Sequence, residues 1–251
     1  MFYRIPRQAG YFFACHYDCV TMACLFSATS RAIMDPQFWR ERWQQSQIGF
    51  HLDQVNPLLV DYWSRLKLPP ASRVFVPLCG KTLDLVWLAG QGHQVVGVEC
   101  SELAVQSFFE EQRLSYRLET IEHFNVYHTE DISIFQGDYF RLDAHQLGKI
   151  DAVYDRAALI AMPENMRPEY AGHLLNITPQ AHAMLLITLQ YLQAQMSGPP
   201  FSVTDDEVKQ RYENHFHIDQ LSQVDVLQHE PRFRERGLGS LHESVFLLTR
   251  R

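Results

Sequence analysis

The sequence predicts an α/β fold with a doubly wound, mostly parallel sheet in a single domain. Apolar runs of strand length alternate with helical segments along the chain, which is typical of parallel strands joined by crossover helices. A chain of 251 residues with 46% hydrophobic residues can bury one large core. It contains no internal repeat, low-complexity tract or linker. We therefore place one domain at residues 34–251.

The first predicted element is a helix in the stretch "DPQFWRERWQQSQIGF", which starts at Asp35. Asp35 suits the N-cap and Pro36 the first helical position. Trp39 and Trp43 are four residues apart, so they lie on one face of this helix. The stretch "NPLLVDYWSRL", residues 56–66, repeats the cap-then-proline pattern and predicts a second helix.

A strand, a helix and a second strand follow closely. The buried strands are predicted at "RVFVPL", residues 73–78, and at "QVVGVE", residues 94–99. Between them "LDLVWLAGQG", residues 83–92, predicts a short helix that its glycines end. Such a unit forms a right-handed parallel crossover. Ser101 is placed to cap the next helix, "ELAVQSFFEEQ".

The remaining predicted elements continue the alternation of strands and helices, and the C-terminal part ends in an antiparallel hairpin. Further strands are predicted at "DISIFQGD", "KIDAVYDR" and "HAMLLITL", with a helix at "PEYAGHLLNI" before the last of them. The stretch "SGPPFSVTDDEVKQRY" predicts a loop and a helix for which Thr204 and Glu207 form a capping box. After "VDVLQHE", the strand "ESVFLLTR" predicts an antiparallel hairpin at the sheet edge. The predicted sheet is thus Rossmann-like with an antiparallel C-terminal edge.

Composition and charge argue against several classes of function. Lys and Arg total 22 against 29 Asp and Glu, so the formal charge of -7 disfavours nucleic acid as a partner. No stretch approaches the roughly 20 apolar residues that a membrane span needs. The five cysteines form neither a disulfide framework nor a zinc motif, and the histidines lack metal-ligand spacing, so we predict no metal. We expect a cytoplasmic monomer.

Residues 1–33 differ from the rest of the chain. Arg4 and Arg7 precede an aromatic and apolar region that loosely imitates a signal peptide, but His16 and Asp18 interrupt it. We expect these residues to be disordered or to reflect an upstream start site, with Met34 as the functional beginning. A processed targeting segment is the alternative.

The turn "PLCGKTLD" after the first strand is the expected nucleotide site of such a sheet. A phosphate-binding P-loop would need another glycine where Phe75 stands, and a dinucleotide fingerprint would need three glycines where only Gly80 is present. A nucleoside without phosphates remains, with Glu99 at the next strand tip accepting hydrogen bonds from ribose hydroxyls. S-adenosylmethionine fits this description. The alternative for Glu99 is a solvated carboxylate at a strand end.

From Met34 onwards the sequence resembles the thiopurine S-methyltransferase family, particularly its bacterial members. The resemblance is carried by "FWRERW", "GFH", "VFVPLCGKTLDLVWLAGQGHQVVGVECSE", "YDRAAL", "GPPF" and "FLLT". It implies the class I methyltransferase fold and transfer of a methyl group from S-adenosylmethionine to the sulfur of thiopurines or related aromatic and heterocyclic thiols. Reduced selenium or tellurium species are a further expected acceptor class, in detoxification. Residues 1–33 have no counterpart in the resemblance.

By this resemblance, the cofactor contacts fall on Trp43, Leu78, Glu99 and Arg156. A sulfonium cation is stabilised over an aromatic face by about 0.5–2 kcal/mol, which Trp43, helped by Trp39, could supply. Without the resemblance, both tryptophans would be interpreted as core residues. The further predicted cofactor contacts are Gly80, whose backbone approaches the methionine part, and Asp138, which is otherwise a turn residue.

The same resemblance implies the acceptor contacts. They are Arg156, Phe50 as part of an aromatic lid, Phe201 in a second wall, and Arg232, for which Arg234 and Arg236 are close alternatives. Arg156 is also the predicted catalytic residue, which acts electrostatically or through water without an obligatory base, because positioning and desolvation supply most of the rate.

Two neighbouring side chains carry weaker expectations. Cys79 is interpreted as a small apolar residue in a tight turn rather than as a nucleophile. His51, beside Phe50, is the one histidine expected near the site.

Two other functions stay open at this point. The first is a nucleotide-dependent oxidoreductase on the same sheet, against which the missing glycines argue. The second is a non-catalytic S-adenosylmethionine-binding protein, which would bind the cofactor without turning over any soft nucleophile.

Overall fold

The computed structural model describes residues 36–251, and the predictions for residues 1–33 and for Asp35 as an N-cap lie outside them. The helices are α1 (Pro36–Gln44), α2 (Pro57–Tyr62), α3 (Asp84–Gly90), α4 (Glu102–Glu111), α5 (Ala144–Leu147), α6 (Arg167–Ile177), α7 (Asp205–Tyr212) and α8 (Pro231–Glu235). The strands are β1 (Arg73–Val76), β2 (Gln94–Glu99), β3 (Arg117–Ile121), β4 (Phe124–His128), β5 (Ile132–Gln136), β6 (Ala152–Arg156), β7 (Ala183–Gln190), β8 (Phe216–Asp225) and β9 (His242–Arg250).

The strands form one sheet with the order β3-β4-β5-β2-β1-β6-β7-β9-β8. Its central five strands, from β5 to β7, are parallel, and an antiparallel pair flanks them at each edge. The chain runs from β1 outwards to β2 on one side and later to β6 on the other. The direction of winding therefore reverses beside β1, where a sheet of this class leaves a crevice for a ligand. The predicted fold class and the C-terminal antiparallel edge are confirmed.

Helices cover both faces of the sheet, which explains why the central strands are almost continuously apolar. On one face, α6 and α7 contribute the buried side chains Tyr170, Leu174, Val208 and Tyr212. On the other face, α2, α3 and α4 contribute Leu59, Leu85, Leu88, Val105 and Phe108. Two apolar clusters thus hold the sheet between two layers of helix and fix the strand ends that carry the site.

Some local predictions were incomplete or wrong. The sequence interpretation missed the β3–β4 hairpin, because β3 is an edge strand with an exposed or half-buried pattern and shows no apolar run. Thr204 caps α7 by accepting a hydrogen bond from the backbone N–H of Glu207. The second half of the predicted capping box is wrong, since the Glu207 carboxylate instead accepts hydrogen bonds from Arg167 and Arg211.

Within residues 36–251, no helix combines the length and the apolar character needed to cross a membrane. The same residues contain no cluster of three or more His, Cys, Asp or Glu side chains that could hold a metal ion. Cys79 and Cys100 are both free thiols.

Candidate active site

A cleft opens at the carboxyl ends of β1 and β6, beside the point where the winding of the sheet reverses. We call it the β1 cleft. Its lining comprises Trp43, Phe50, His51, Val76, Leu78, Cys79, Gly80, Lys81, Thr82, Asp84, Tyr154, Arg156 and Ala157. The fold thereby brings together five residues that the sequence analysis assigned to the site, Trp43, Phe50, Leu78, Gly80 and Arg156.

The turn after β1 has a strained and tightly packed backbone. Leu78 lies at φ +48° and Gly80 at φ +53°, in the left-handed region that costs a non-glycine residue about 1–2 kcal/mol. The turn is held because the Cys79 N–H donates to the Val98 carbonyl oxygen over 3.0 Å. A Cβ at Gly80 would lie only 3.0 Å from the Trp43 ring. Glycine is therefore required here both for its conformation and for the approach of Trp43.

Glu99 is buried at the end of β2 and connects two parts of the site. Its Oε2 accepts a hydrogen bond from the Gly80 N–H over 2.9 Å, and its Oε1 accepts one from the Ser101 N–H over 2.8 Å. The Cys100 thiol also donates to Oε1. Burial raises the pKa of the Glu99 carboxyl, and these hydrogen bonds oppose the shift. Oε2 keeps one lone pair for a further donor.

A second cleft, the β2 cleft, lies beyond Glu99. It is lined by Arg40, Gln44, Ser101, Glu102, Leu103, Gln106 and Gln136. Ser101 caps α4 by accepting a hydrogen bond from Ala104, as predicted. Gln136 and Arg40 each donate to the Cys100 carbonyl oxygen, so β5 and α1 meet at this point. Glu99 lines neither cleft, but its carboxylate is buried at the junction between them, since it accepts hydrogen bonds from Gly80 of the β1 cleft and Ser101 of the β2 cleft.

Helix α1 and the following loop place an aromatic cluster over the β1 cleft. Phe50 packs edge-on against Trp43 at 5.5 Å and against Trp39 at 5.8 Å between ring centroids. Trp43 is buried and lines the cleft, whereas Trp39 contacts Phe50 from behind. The Trp39 Nε1–H is buried without a hydrogen-bond partner among the described residues. Trp39 therefore supports the aromatic cluster rather than lining the cleft.

Arg156 ends β6 and reaches across to the same loop. Its Nη1 donates to the Phe50 carbonyl oxygen over 3.2 Å. The next residue, Ala157, lies at φ +64°. Behind this turn the buried Asp155 accepts hydrogen bonds from the Leu159 N–H and the Tyr170 hydroxyl, and burial raises its pKa to about 6. Asp155 thus fixes the strained turn that aims Arg156 into the cleft.

Two further basic side chains line the cleft near Arg156. Burial lowers the pKa of His51, and the neighbouring cations Lys81 and Arg156 lower it further, while Asp53 opposes them. The imidazole is therefore neutral at pH 7. Lys81 is paired with Glu111 over 2.6 Å. His51 lies in the lining of the β1 cleft, and its role in the site stays a prediction.

Two of the three arginines of α8 and its C-terminal end, Arg232 and Arg236, both lie over the Phe233 ring but have different polar neighbours. A Cβ at Gly49 would lie 3.3 Å from Nη1 of Arg232, which places Arg232 beside the Phe50 loop. Arg232 is also paired with Glu230 over 3.1 Å. Arg236 instead contacts the sulfur of Met196. The assignment of Arg232 to the acceptor, rather than Arg234 or Arg236, stays a prediction.

Other predicted residues lie away from the β1 cleft lining. Asp138 follows β5 and accepts a hydrogen bond from the Phe140 N–H, so it caps a short 3-10 turn. Phe201 is buried against Gly198, and its N–H donates to the Ile160 carbonyl oxygen over 2.7 Å. The contacts of Asp138 and Phe201 with ligands stay predictions. Burial and the nearby Glu99 raise the pKa of Cys79 well above its usual range, which agrees with an inert turn residue.

The residues present fit S-adenosylmethionine. The Trp43 ring lies beside Gly80 and offers an aromatic face for a sulfonium cation. Glu99 keeps an acceptor lone pair for a ribose hydroxyl at the junction of the two clefts. The β2 cleft adds the apolar Leu103 and the amide of Gln136 beyond that junction. The Gly80 N–H already donates to Glu99, so this backbone donor is not available to a pyrophosphate.

Sequence reasoning missed several residues of the two clefts. Lys81, Ala157 and Gln136 were not singled out. Lys81 and Ala157 directly follow assigned residues, so the carboxyl ends of the strands could have indicated them. No sequence signal marks the positive φ of Ala157, because a positive φ is uncommon for any residue other than glycine.

Comparison with known proteins agrees with this geometry. The family model of thiopurine S-methyltransferase (TPMT) matches residues 34–251. A relative named thiopurine S-methyltransferase from Shewanella pealeana is 49% identical over 218 residues, 87% of this chain and 100% of the relative. A protein of the same name from Pseudomonas aeruginosa is 49% identical over 217 residues, 86% of this chain and 100% of that protein.

Solved structures share the fold at low sequence identity. A SAM-dependent methyltransferase from Anabaena variabilis has a TM-score of 0.55 and 14% identity, covering 86% of this chain and 95% of its own. A mycolic acid cyclopropane synthase complexed with SAH and CTAB has a TM-score of 0.54 and 11% identity, covering 76% and 82%. The fold is that of class I methyltransferases. The chain therefore belongs to the thiopurine S-methyltransferase family, which makes it an enzyme with S-adenosylmethionine as cofactor, as the sequence predicts.

Proposed function

We propose that this protein transfers the methyl group of S-adenosylmethionine to the sulfur of thiopurines and of related heterocyclic or aromatic thiols. The observation that carries the proposal is the β1 cleft, in which an aromatic wall and an arginine with free donors meet at the turn containing Gly80. The names of the relatives support thiopurines as acceptors.

The residues around Gly80 hold the cofactor side in this proposal. When bound, the cofactor supplies an electrophilic methyl group on a sulfonium centre. The Trp43 ring stabilises a cation beside Gly80, and the strained turn at Leu78 exposes backbone groups at the cleft. Glu99 accepts a ribose hydroxyl through the free lone pair of Oε2.

Arg156 acts on the acceptor side. A guanidinium has five N–H donors, and Arg156 uses one of them on the Phe50 carbonyl oxygen. The remaining donors are free to stabilise a thiolate or a polarised thione sulfur at the reacting position. Phe50, packed on Trp43 and Trp39, covers the cleft and excludes water. Positioning and desolvation then supply most of the rate.

The alternatives have less support. A nucleotide-dependent oxidoreductase would need a phosphate-binding turn, whereas Glu99 occupies the Gly80 N–H. A non-catalytic binding protein would not need free arginine donors beside the aromatic wall.

Methylation of selenium or tellurium species, cytoplasmic location and a monomeric state stay predictions. Vapour analysis of cells given selenite or tellurite tests the first of these.

A calorimetric titration of the full chain with S-adenosylhomocysteine, run beside NADH, tests the cofactor assignment. We expect micromolar binding of S-adenosylhomocysteine and none of NADH. Incubation with S-adenosylmethionine and 6-mercaptopurine, with S-methyl product measured by chromatography, tests the acceptor. Binding of NADH alone, or cofactor binding without methylation of any thiol, would contradict the proposal.

A further inference from the structure

Strand β9 carries one acidic side chain, Glu243, close to its start. The following residues Ser244 and Val245 are fully buried, while Glu243 is half-buried. A carboxylate at such a position loses part of its hydration, so it needs a compensating partner. Yet the Glu243 carboxylate forms neither a hydrogen bond nor a salt bridge with any other residue of the described range 36–251.

The register of the sheet places Glu243 on the same face as Arg156. Arg156 on β6 pairs with Ile187 on β7, and Ile187 pairs with Val245 on β9. Paired residues of adjacent strands point to the same side of a sheet, and so do residues two apart on one strand. Glu243 precedes Val245 by two residues and pairs with Leu189 near the carboxyl end of β7. It therefore lies at the ligand edge of the sheet.

Arg156 and Glu230 lie close enough to Glu243 for their charges to act on its carboxyl group. Burial raises its pKa, the positive charge of Arg156 opposes this shift, and the negative charge of Glu230 adds to it. Glu230 is itself paired with Arg232, the arginine beside the Phe50 loop. Glu243 is thus close to Arg156, and Glu230, which is also close to it, is paired with the second arginine that the resemblance assigned to the acceptor.

Arg156 and Glu243 together offer complementary hydrogen-bonding capacity. Arg156 has donors left after its contact with Phe50, and Glu243 has two acceptor oxygens without donors in the described residues. A heterocycle in its thione form presents the matching pair, because its C=S sulfur accepts and the adjacent ring N–H donates. A simple aryl thiolate has the sulfur but no adjacent N–H.

We propose that Glu243 is a specificity-determining residue that accepts the ring N–H of heterocyclic thione acceptors whose sulfur faces Arg156. This inference rests on the proposed function and names its preferred acceptor class. It makes the enzyme selective for acceptors in which a ring nitrogen bearing hydrogen adjoins the thiocarbonyl carbon.

The same contact accounts for the proton released in the reaction. The acceptor sulfur forms its new bond to the methyl carbon with one of its lone pairs, and the donor's carbon–sulfur bond breaks with its electron pair left on the donor sulfur. The methylated thione would carry a positive charge on its ring. Breaking the N–H bond leaves that electron pair in the ring, and the proton passes to the Glu243 carboxylate and then to solvent.

The test compares two acceptors on three variants of the full chain. The acceptors are 6-mercaptopurine, which has the ring N–H, and 4-nitrothiophenol, which has none. Glu243→Ala removes the carboxylate, and Glu243→Gln keeps an acceptor oxygen that cannot take a proton. Glu235→Gln, at an exposed glutamate of α8, is the matched control. Thermal unfolding and the Kd of S-adenosylhomocysteine are measured for each variant.

We expect Glu243→Ala to lower kcat/KM for 6-mercaptopurine about 10- to 100-fold, the scale of a lost hydrogen bond to a charged group, and 4-nitrothiophenol turnover less than about threefold. Glu243→Gln should lower kcat more than it raises the Kd of 6-mercaptopurine, measured by calorimetry with S-adenosylhomocysteine present. Equal losses for both acceptors, or none for either, would overturn the inference. A wild-type protein that methylates neither acceptor would instead defeat the proposed function.

Discussion

The two sides of the candidate site are built differently. The cofactor side comes mainly from one short stretch, residues 76–101, in which backbone N–H groups of Gly80 and Ser101 donate to the Glu99 carboxylate, and α1 adds the Trp43 ring. The acceptor side brings together Phe50, Arg156 and Arg232 from separate parts of the chain. The cofactor side is therefore a local structure, whereas the acceptor side exists only once the whole sheet has formed.

This difference suggests that substitutions on the two sides affect different properties, cofactor affinity on one side and turnover on the other. Glu99 accepts two backbone N–H groups, so a change there disturbs the turn and with it the affinity for the cofactor. Arg156 holds the Phe50 loop through a single side-chain hydrogen bond. Changes on the acceptor side should therefore alter turnover and leave cofactor affinity nearly intact. Four substitutions test this separation.

The largest effect is expected from Arg156→Ala. It removes the donors that stabilise charge on the acceptor sulfur and also releases the Phe50 carbonyl oxygen. We expect kcat/KM for 6-mercaptopurine to fall about 100-fold or more, as when an oxyanion-hole donor is lost. The Kd of S-adenosylhomocysteine should change less than about fivefold. Arg156→Lys, which keeps the charge without the planar fork, should recover part of the activity. Equal losses in turnover and cofactor affinity would place Arg156 on the cofactor side.

Glu99→Ala should lower the affinity for the cofactor rather than turnover. The variant loses the ribose acceptor and leaves the N–H groups of Gly80 and Ser101 without their partner. We expect cofactor binding to weaken by about 1.5–3 kcal/mol, the scale of hydrogen bonds to a charged group. Calorimetry with S-adenosylhomocysteine measures it, and thermal unfolding reports the cost to the fold. An unchanged Kd would remove Glu99 from the cofactor site.

Two glycines provide a smaller and better-controlled comparison. Gly80→Ala places a methyl group 3.0 Å from the Trp43 ring at a residue with φ +53°, so we expect a loss of about 1–2 kcal/mol in the free energy of unfolding. Gly90→Ala adds the same methyl group at the end of α3, where no atom lies within 4 Å. It should be neutral or stabilising by up to about 1 kcal/mol. Denaturant unfolding of both variants measures the difference, and equal stabilities would show that Gly80 is not under strain.

The same contrast explains what the sequence could predict. Gly80 and Glu99 were predicted because a strand, a turn and a second strand follow one another within a short stretch, whereas Leu78 was assigned by the family resemblance. Glu243 was not found, since a single acid at the start of an apolar strand has no local signal and gains its meaning from the β6-β7-β9 register. Phe201 was assigned by family pattern, and the structure places it against Ile160 rather than in the β1 cleft lining. The positions of Glu243 and Phe201 depend on contacts between distant parts of the chain, which no local sequence pattern shows.

The smallest effect is expected at the arginines of α8. Arg232 lies beside Gly49 and is paired with Glu230, but its side chain is 44% exposed, so solvent screens its charge. We expect Arg232→Ala to raise KM for 6-mercaptopurine about 3- to 10-fold with little change in kcat, as for a residue that binds substrate and transition state alike. Arg234→Ala, at an exposed position two residues on, should change KM less than about twofold. Steady-state kinetics of both variants shows which of the two arginines contacts the acceptor. A larger effect at Arg234 would show that the acceptor approaches the other side of α8.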